Sequence, residues 1–236
     1  DVSIPISDVP GAIPALALDY TLPVDPVVIA AGTKTYDYIV SIIDDNIVEA
    51  DESFILSLGT PNPTTVTAPL EDARAVTSSA IKSEGFIENS DQANLSLTQI
   101  SGSEVTEGAS GDFPTMTFRA SLDAPVDGGF NIDYATNAIT AIENTDYQGK
   151  ANALPFTGSI PGGQSTEFVD VEIVVIGDDI VEAGTETFTL DLAGLVDTNN
   201  LNVLAADIIV TIDSQIGTIT DDDSYDALFA VTSISQ

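Results

Sequence analysis

Apolar and polar residues alternate along most of this chain. A period of two runs through Tyr36, Tyr38, Val40 and Ile42, through Phe54, Leu56 and Leu58, and through Met116, Phe118, Ala120 and Leu122. It returns at Val169, Val171, Ile173 and Val175 and at Phe188, Leu190 and Leu192. Alternation of this kind predicts half-buried β-strands, because successive side chains of a strand point to opposite faces. Ala31-Gly32-Thr33, Asp127-Gly128-Gly129 and Pro161-Gly162-Gly163 separate the runs as turns. No long stretch has a helical period; a short helix at Leu70–Val76, after the Pro61-Asn62-Pro63 turn, is the single helical expectation. The pattern predicts an all-β array of antiparallel sandwiches.

The chain repeats itself. Ile43-Asp44-Asp45-Asn46-Ile47-Val48-Glu49-Ala50 returns 133 residues later as Ile176-Gly177-Asp178-Asp179-Ile180-Val181-Glu182-Ala183. Asp19-Tyr20 matches Asp146-Tyr147, and Val2–Ile6 matches Phe130–Tyr134. Residues 1–91 therefore read as a repeat that begins at its third strand, and 92–223 as a whole repeat. Residues 224–236 read as the first strand of a further repeat, since Phe229–Ser235 copies Leu95–Ser101 at a spacing of 134. Two assemblies would complete the first repeat: a longer tandem array, or identical subunits joined head to tail, each donating its tail (225–236) as a strand to the next.

Charge adds the chemistry. Thirty-eight acidic residues face five basic ones, a formal net charge of −33. Such a surface repels nucleic acid and anionic membranes, and its self-repulsion calls for divalent cations or high salt. The acids gather at strand ends in the second repeat: Glu107, Asp146, Asp178, Asp179, Glu182, Glu186 and Asp221-Asp222-Asp223. Carboxylates brought together in loops suit calcium, which takes six to eight oxygen ligands; magnesium demands a stricter octahedron. Zinc is disfavoured in a chain without histidine or cysteine. The same absence removes the usual general base and the strongest nucleophile, so no enzyme is expected. A glycosidase would need two acids across an aromatic-lined cleft, and this chain has no tryptophan. There is no run of about 18 apolar residues and no signal-peptide pattern, so any anchor or secretion signal is expected outside this chain.

These residues also carry a resemblance. Val105-Thr106-Glu107-Gly108, Thr145-Asp146-Tyr147, Gly177–Phe188 and Ile216–Asp223 resemble, in order, the successive signatures of a Calx-beta domain. That likeness implies an immunoglobulin-like sandwich, and in several members calcium bound at the loop end facing the next domain. Carried over by position, the implied ligands are Glu107, Asp146, Asp178, Asp179, the Ile180 carbonyl, Glu182, Asp221, Asp222 and Asp223. Glu186 is held back from this set, since it reads equally well as a solvated strand residue. A weaker second site is implied in the first repeat at Asp19, Asp44, Asp45, Ile47, Glu49 and Asp91, where Asn89-Ser90-Asp91 stands in place of the aspartate triplet. The expected role is a calcium-stabilised structural or adhesive module of an extracellular microbial surface protein. The alternatives are a calcium sensor regulating a transporter and a salt-adapted spacer without specific ions.

Overall fold

The chain folds into two units, Asp1–Asp91 and Gln92–Gln236. The computed structural model describes all residues except 16–17, 24, 64–80, 103, 159–165, 183, 196, 200–201 and 226–236. The expected helix at Leu70–Val76, the Pro161-Gly162-Gly163 turn and the tail strand at Phe229–Ser235 lie outside the described residues. Among the described residues no helix is long and apolar enough to cross a membrane.

The first unit holds β1 (Val2–Ile4), β2 (Ile6–Pro10), β3 (Tyr20–Thr21), β4 (Val27–Ile29), β5 (Ser41–Ile42), β6 (Glu52–Leu58), β7 (Asn62–Pro63) and β8 (Lys82–Ile87). The second holds β9 (Ala93–Gln99), β10 (Val105–Thr106), β11 (Thr115–Leu122), β12 (Phe130–Ala138), β13 (Ala151–Phe156), β14 (Phe168–Val174), β15 (Thr185–Leu192), β16 (Asp197–Thr198), β17 (Ile208–Ile212) and β18 (Ser214–Thr220). One 3-10 turn, Ala205–Asp207, precedes β17.

The second unit is a β-sandwich. One sheet runs β10-β18-β15-β12-β13, with β16 also on β12, and the other runs β14-β11-β9-β17. The alternation seen in sequence sets the inner faces: Met116, Phe118, Ala120 and Leu122 of β11 are buried, as are Phe188, Leu190 and Leu192 of β15. Phe118 meets Phe188 edge to face at 6.2 Å between ring centroids, and Tyr147 stacks on Phe188 at 4.4 Å. Gly217 must be glycine for this packing, since a Cβ there would lie 2.4 Å from Phe188 Cζ and 2.8 Å from Met116 Sδ.

The first unit repeats part of this plan in the same register. Ile6 pairs with Leu58 as Tyr134 pairs with Leu192, and Val2 pairs with Pro63 as Phe130 pairs with Thr198. β1 and β2 thus follow the course of β12, divided at Pro5, which has no N–H to give a ladder. Tyr20 stacks on Phe54 at 4.6 Å, as Tyr147 does on Phe188. Gly85 lies under Phe54 as Gly217 lies under Phe188, with a Cβ there 2.4 Å from the ring.

The strand expected from Tyr36 to Ile42 is shorter than its pattern. Among the described residues only Ser41–Ile42 is paired, to Thr21 and Tyr20. In the second unit β14 is held along seven residues by β11, from Thr115↔Val174 to Ser121↔Phe168. No described strand of the first unit takes that place, and Tyr36 (53% exposed) and Ile39 (70%) stand in solvent. Alternation marks a segment able to be a strand; a hydrogen-bonded neighbour makes it one.

Phe188 carries the shared aromatic contact of the second core. Phe188→Ala is expected to cost about 3–5 kcal/mol in urea unfolding. Ile216→Ala, at a side chain mostly exposed on β18, should change stability by less than about 0.5 kcal/mol.

Candidate metal centre

Strand pairing gathers the acids at one pole of the second unit. β10 lies parallel to β18, with Val105 opposite Ile219 and Thr106 opposite Thr220, and the Glu107 N–H donates to the Thr220 carbonyl at 3.1 Å. β15 begins beside the same point, Thr185 opposite Thr220 and Glu186 opposite Ile219. Glu107, Glu186 and the Asp221–Asp223 run therefore leave neighbouring strands together. Asp146 arrives through Tyr147, which is fully buried against Phe188 and bridges to Val175. The Ile176 N–H donates to the Asp146 carbonyl at 2.9 Å, which ties the 176–182 segment to the same place.

Two groups of three carboxylates result. Glu107, Asp221 and Asp223 each bring one oxygen within 4.8 Å of the others, and so do Asp146, Glu182 and Glu186. Glu107 is 1% exposed and Asp146 2%. Glu107 Oε1, Glu186 Oε2 and Asp223 Oδ2 are buried without a hydrogen-bond partner. A buried carboxylate oxygen with neither donor nor cation is costly, so these atoms ask for a positive ligand.

The electrostatics agree. Burial, and then the charges of Glu182, Asp178, Asp221 and Asp223, push the Glu107 carboxyl up to about 7. Burial, then a hydrogen bond with Asp146 and the charges of Asp146, Glu182 and Glu107, push Glu186 up to about 7. Glu182 and Asp223 are also raised, first by burial and then by neighbouring carboxylates. No lysine or arginine contributes to these shifts. Arg119 pairs instead with Asp170 at 2.7 Å and lies over the Phe168 ring. An all-oxygen donor set of this kind fits a hard divalent cation, and calcium above magnesium where ligands come from several loops.

The other expected ligands take different places. Asp221 also braces the backbone, its Oδ2 accepting from the Glu182 N–H at 2.7 Å and its Oδ1 from the Asp223 N–H at 2.8 Å. Asp178 Oδ1 accepts from the Ile180 N–H at 2.7 Å, and its charge acts on both Glu107 and Glu182. Ile180 stands at that turn with its side chain 62% exposed. Asp179 and Asp222 fall outside both groups: Asp179 Oδ1 accepts from the Ser110 N–H at 3.3 Å and Asp222 Oδ1 from the Gly108 N–H at 3.0 Å. Glu186, held back between ligand and solvated strand residue in the sequence, belongs to the second group. The signal was its phase, because Glu186 precedes the inward Phe188 by two residues and so shares its face.

In the first unit Asp19, Asp44, Asp45, Ile47, Glu49 and Asp91 line one cleft of about 130 Å³, together with Asn89. The backbone scheme of the second unit returns there. Asp45 Oδ1 accepts from the Ile47 N–H at 2.8 Å, and Asn89 Oδ1 accepts from the N–H groups of Glu49 and Asp91 at 3.3 Å each. Asn89 thus does the bracing of Asp221 without its charge. Asp91 is raised by burial and by Asp44 and Asp45. Among the described residues no three carboxylates of this unit come within 4.8 Å of one another.

The Calx-beta domain family model matches residues 14–80 and 100–223. Among solved structures, the chain is similar to the apo-form Calx CBD1 domain, with 18% identity over 56% of this chain and 100% of that one, at a TM-score of 0.40. It is similar as well to CBD12 from CALX1.2, with 16% identity over 93% of this chain and 87% of that one, at a TM-score of 0.36. No curated protein matches the chain.

The raised carboxyls make the ion-free fold sensitive to pH. Glu107 and Glu186 hold their protons in the folded state up to about 7, against 4.5 ordinarily. Over that window the folded chain binds more protons than the unfolded one, so stability present below about 4.5 is lost as pH rises through about 7. In chelator, the melting temperature is expected to fall by several degrees across this window, and Glu107→Gln should flatten the fall.

Proposed function

The chain belongs to the Calx-beta domain family, and from the paired carboxylate groups of its second unit we infer that it is a calcium-stabilised structural module of an extracellular microbial surface protein. The single observation that carries the reading is the nearly dry Glu107 carboxylate with a partnerless Oε1, facing Asp221 and Asp223. Calx-beta domains bind calcium in homologues, in regulatory or structural roles. The residues at this pole fit that ion.

Calcium, when bound, supplies the positive charge that these oxygens lack. Glu107, Asp221 and Asp223 would hold one ion, and Asp146, Glu182 and Glu186 an adjacent one, after Glu107 and Glu186 give up their protons. Asp221 would also transmit the bound state to the backbone, because it braces Glu182 and Asp223 through their N–H groups. With repulsion cancelled, the loops at 107–112, 176–182 and 221–223 stiffen together. The exit toward Tyr225 is then fixed, and a neighbouring repeat would be held at a set angle. The cleft at Asp19, Asp45, Glu49 and Asp91 would bind more weakly, one charge short at Asn89.

Extracellular placement is supported by the charge of −33 and by a site that must shed protons near neutrality, which suits the roughly 0.1–1 mM calcium affinities of extracellular modules. A sensor module of a transporter would use the same site, and a contribution to adhesion would come from the array's surfaces.

The test is thermal unfolding at fixed ionic strength with calcium, magnesium or chelator. At calcium about 100-fold above Kd, stabilisation should be about 2.7 kcal/mol, a rise of roughly 5–10 °C. Glu107→Gln with Asp221→Asn should abolish it. An equal rise from sodium chloride at matched ionic strength would leave only salt adaptation.

A further inference from the structure

β8 stands in the first unit as β18 stands in the second, since Gly85 pairs with Phe54 as Gly217 pairs with Phe188. β9, a strand of the facing sheet, packs against β18, where Gly217 is buried and Ile219 is 2% exposed. The matching Gly85 and Ile87 are only half-buried, and no described strand of the first unit takes the place of β9. We propose that residues 226–236 of a second copy of this chain occupy that place as an added strand, so that copies join head to tail.

The sequence of that segment fits the place. Ala227, Phe229 and Val231 repeat, 134 residues on, the Ala93, Leu95 and Leu97 of β9, all three fully buried in the second unit. Thr232, Ile234 and Ser235 keep Thr98, Ile100 and Ser101 unchanged. An added strand of this pattern would set an apolar row against Gly85 and Ile87, as β9 does against Gly217 and Ile219. Residues 227–236 carry no charge, so the segment adds nothing to the repulsion between two chains of −33 each. In strand addition, main-chain hydrogen bonds supply affinity and the alternate side chains supply specificity.

Chain order favours a second copy over the same one. β8 ends at Ile87, and after residues 88–92 the chain begins β9 in the following unit, not in the unit of β8. β18 ends at Thr220, and after residues 221–226 the β9-like segment begins. By that precedent a β9-like segment serves the body that comes after its own β18, and a first unit is the body with that place open. Donor and acceptor then lie on different units of each copy, a heterologous contact that propagates as a filament unless it closes into a ring. The segment covers the β8 side alone. Tyr38 and Val40, half-buried where Val171 and Ile173 are 3% and 0% exposed, face the place of β11, which it does not fill.

Two variants of the full chain separate donor from acceptor. Phe229→Asp puts a charge where the matching Leu95 is dry and should disable donation, while Ile87→Asp should disable acceptance. Sedimentation velocity and electron microscopy are run in about 0.5 M KCl, where a Debye length of roughly 4 Å suppresses long-range repulsion. Calcium and chelator are used in parallel, so the result stands apart from the calcium reading. The parent chain is expected to grow into head-to-tail polymers with concentration, and each variant alone to stay monomeric. Mixing the two variants should give a dimer that grows no further, because one working donor meets one working acceptor. This arm holds even if Ile87→Asp loosens its own first unit, since that chain serves only as donor. A synthetic peptide of residues 226–236 should bind the Phe229→Asp chain, and the same peptide carrying Phe229→Asp should bind at least about 10-fold more weakly. A parent chain that stays monomeric at every concentration, polymers from Phe229→Asp, or no dimer in the mixture would overturn the proposal.

Discussion

The second unit is organised around carboxylates that its strands force together without a basic partner. Pairing of β10 with β18 leaves Glu107 no exit to solvent, and the Tyr147–Phe188 stack pins Asp146 beside it. Protons held by the raised carboxyls relieve part of the repulsion, and backbone N–H groups take up several oxygens of Asp178, Asp179, Asp221 and Asp222. The core supplies the stability, and the pole draws on it.

The core was legible in sequence because period two is a local property. Met116 to Leu122 and Phe188 to Leu192 bury the side chains that their alternation marks. The 133-residue repeat was legible for the same reason, and the matched registers of Ile6↔Leu58 and Tyr134↔Leu192 follow from it. What local pattern does not contain is a partner. Tyr36–Val40 alternates as cleanly as β14 yet pairs with no described strand, because a strand needs a neighbour that its own residues do not encode.

The site was legible to the level of which loops meet, and less so to the level of which oxygens face inward. Aspartates in a triplet look alike in sequence, but Asp221 and Asp223 turn into a carboxylate group while Asp222 between them turns to the Gly108 N–H. Glu186 shows the reverse case, an acid in a strand whose phase put it inside among carboxylates.

Salt adaptation and specific ion binding are separable within one acidic chain because they act on different carboxylates. Charges exposed to solvent interact through a screened medium, and at physiological ionic strength their repulsion fades beyond roughly 8 Å. Glu107 and Asp146 are 1% and 2% exposed, so mobile ions do not reach between them. Bulk salt therefore relieves much of the −33 at exposed carboxylates, while the buried oxygens of Glu107 and Asp146 are screened far less. Asn89 follows the same logic from the other side: with the bracing hydrogen bonds kept and one charge removed, the first cleft has less repulsion to neutralise.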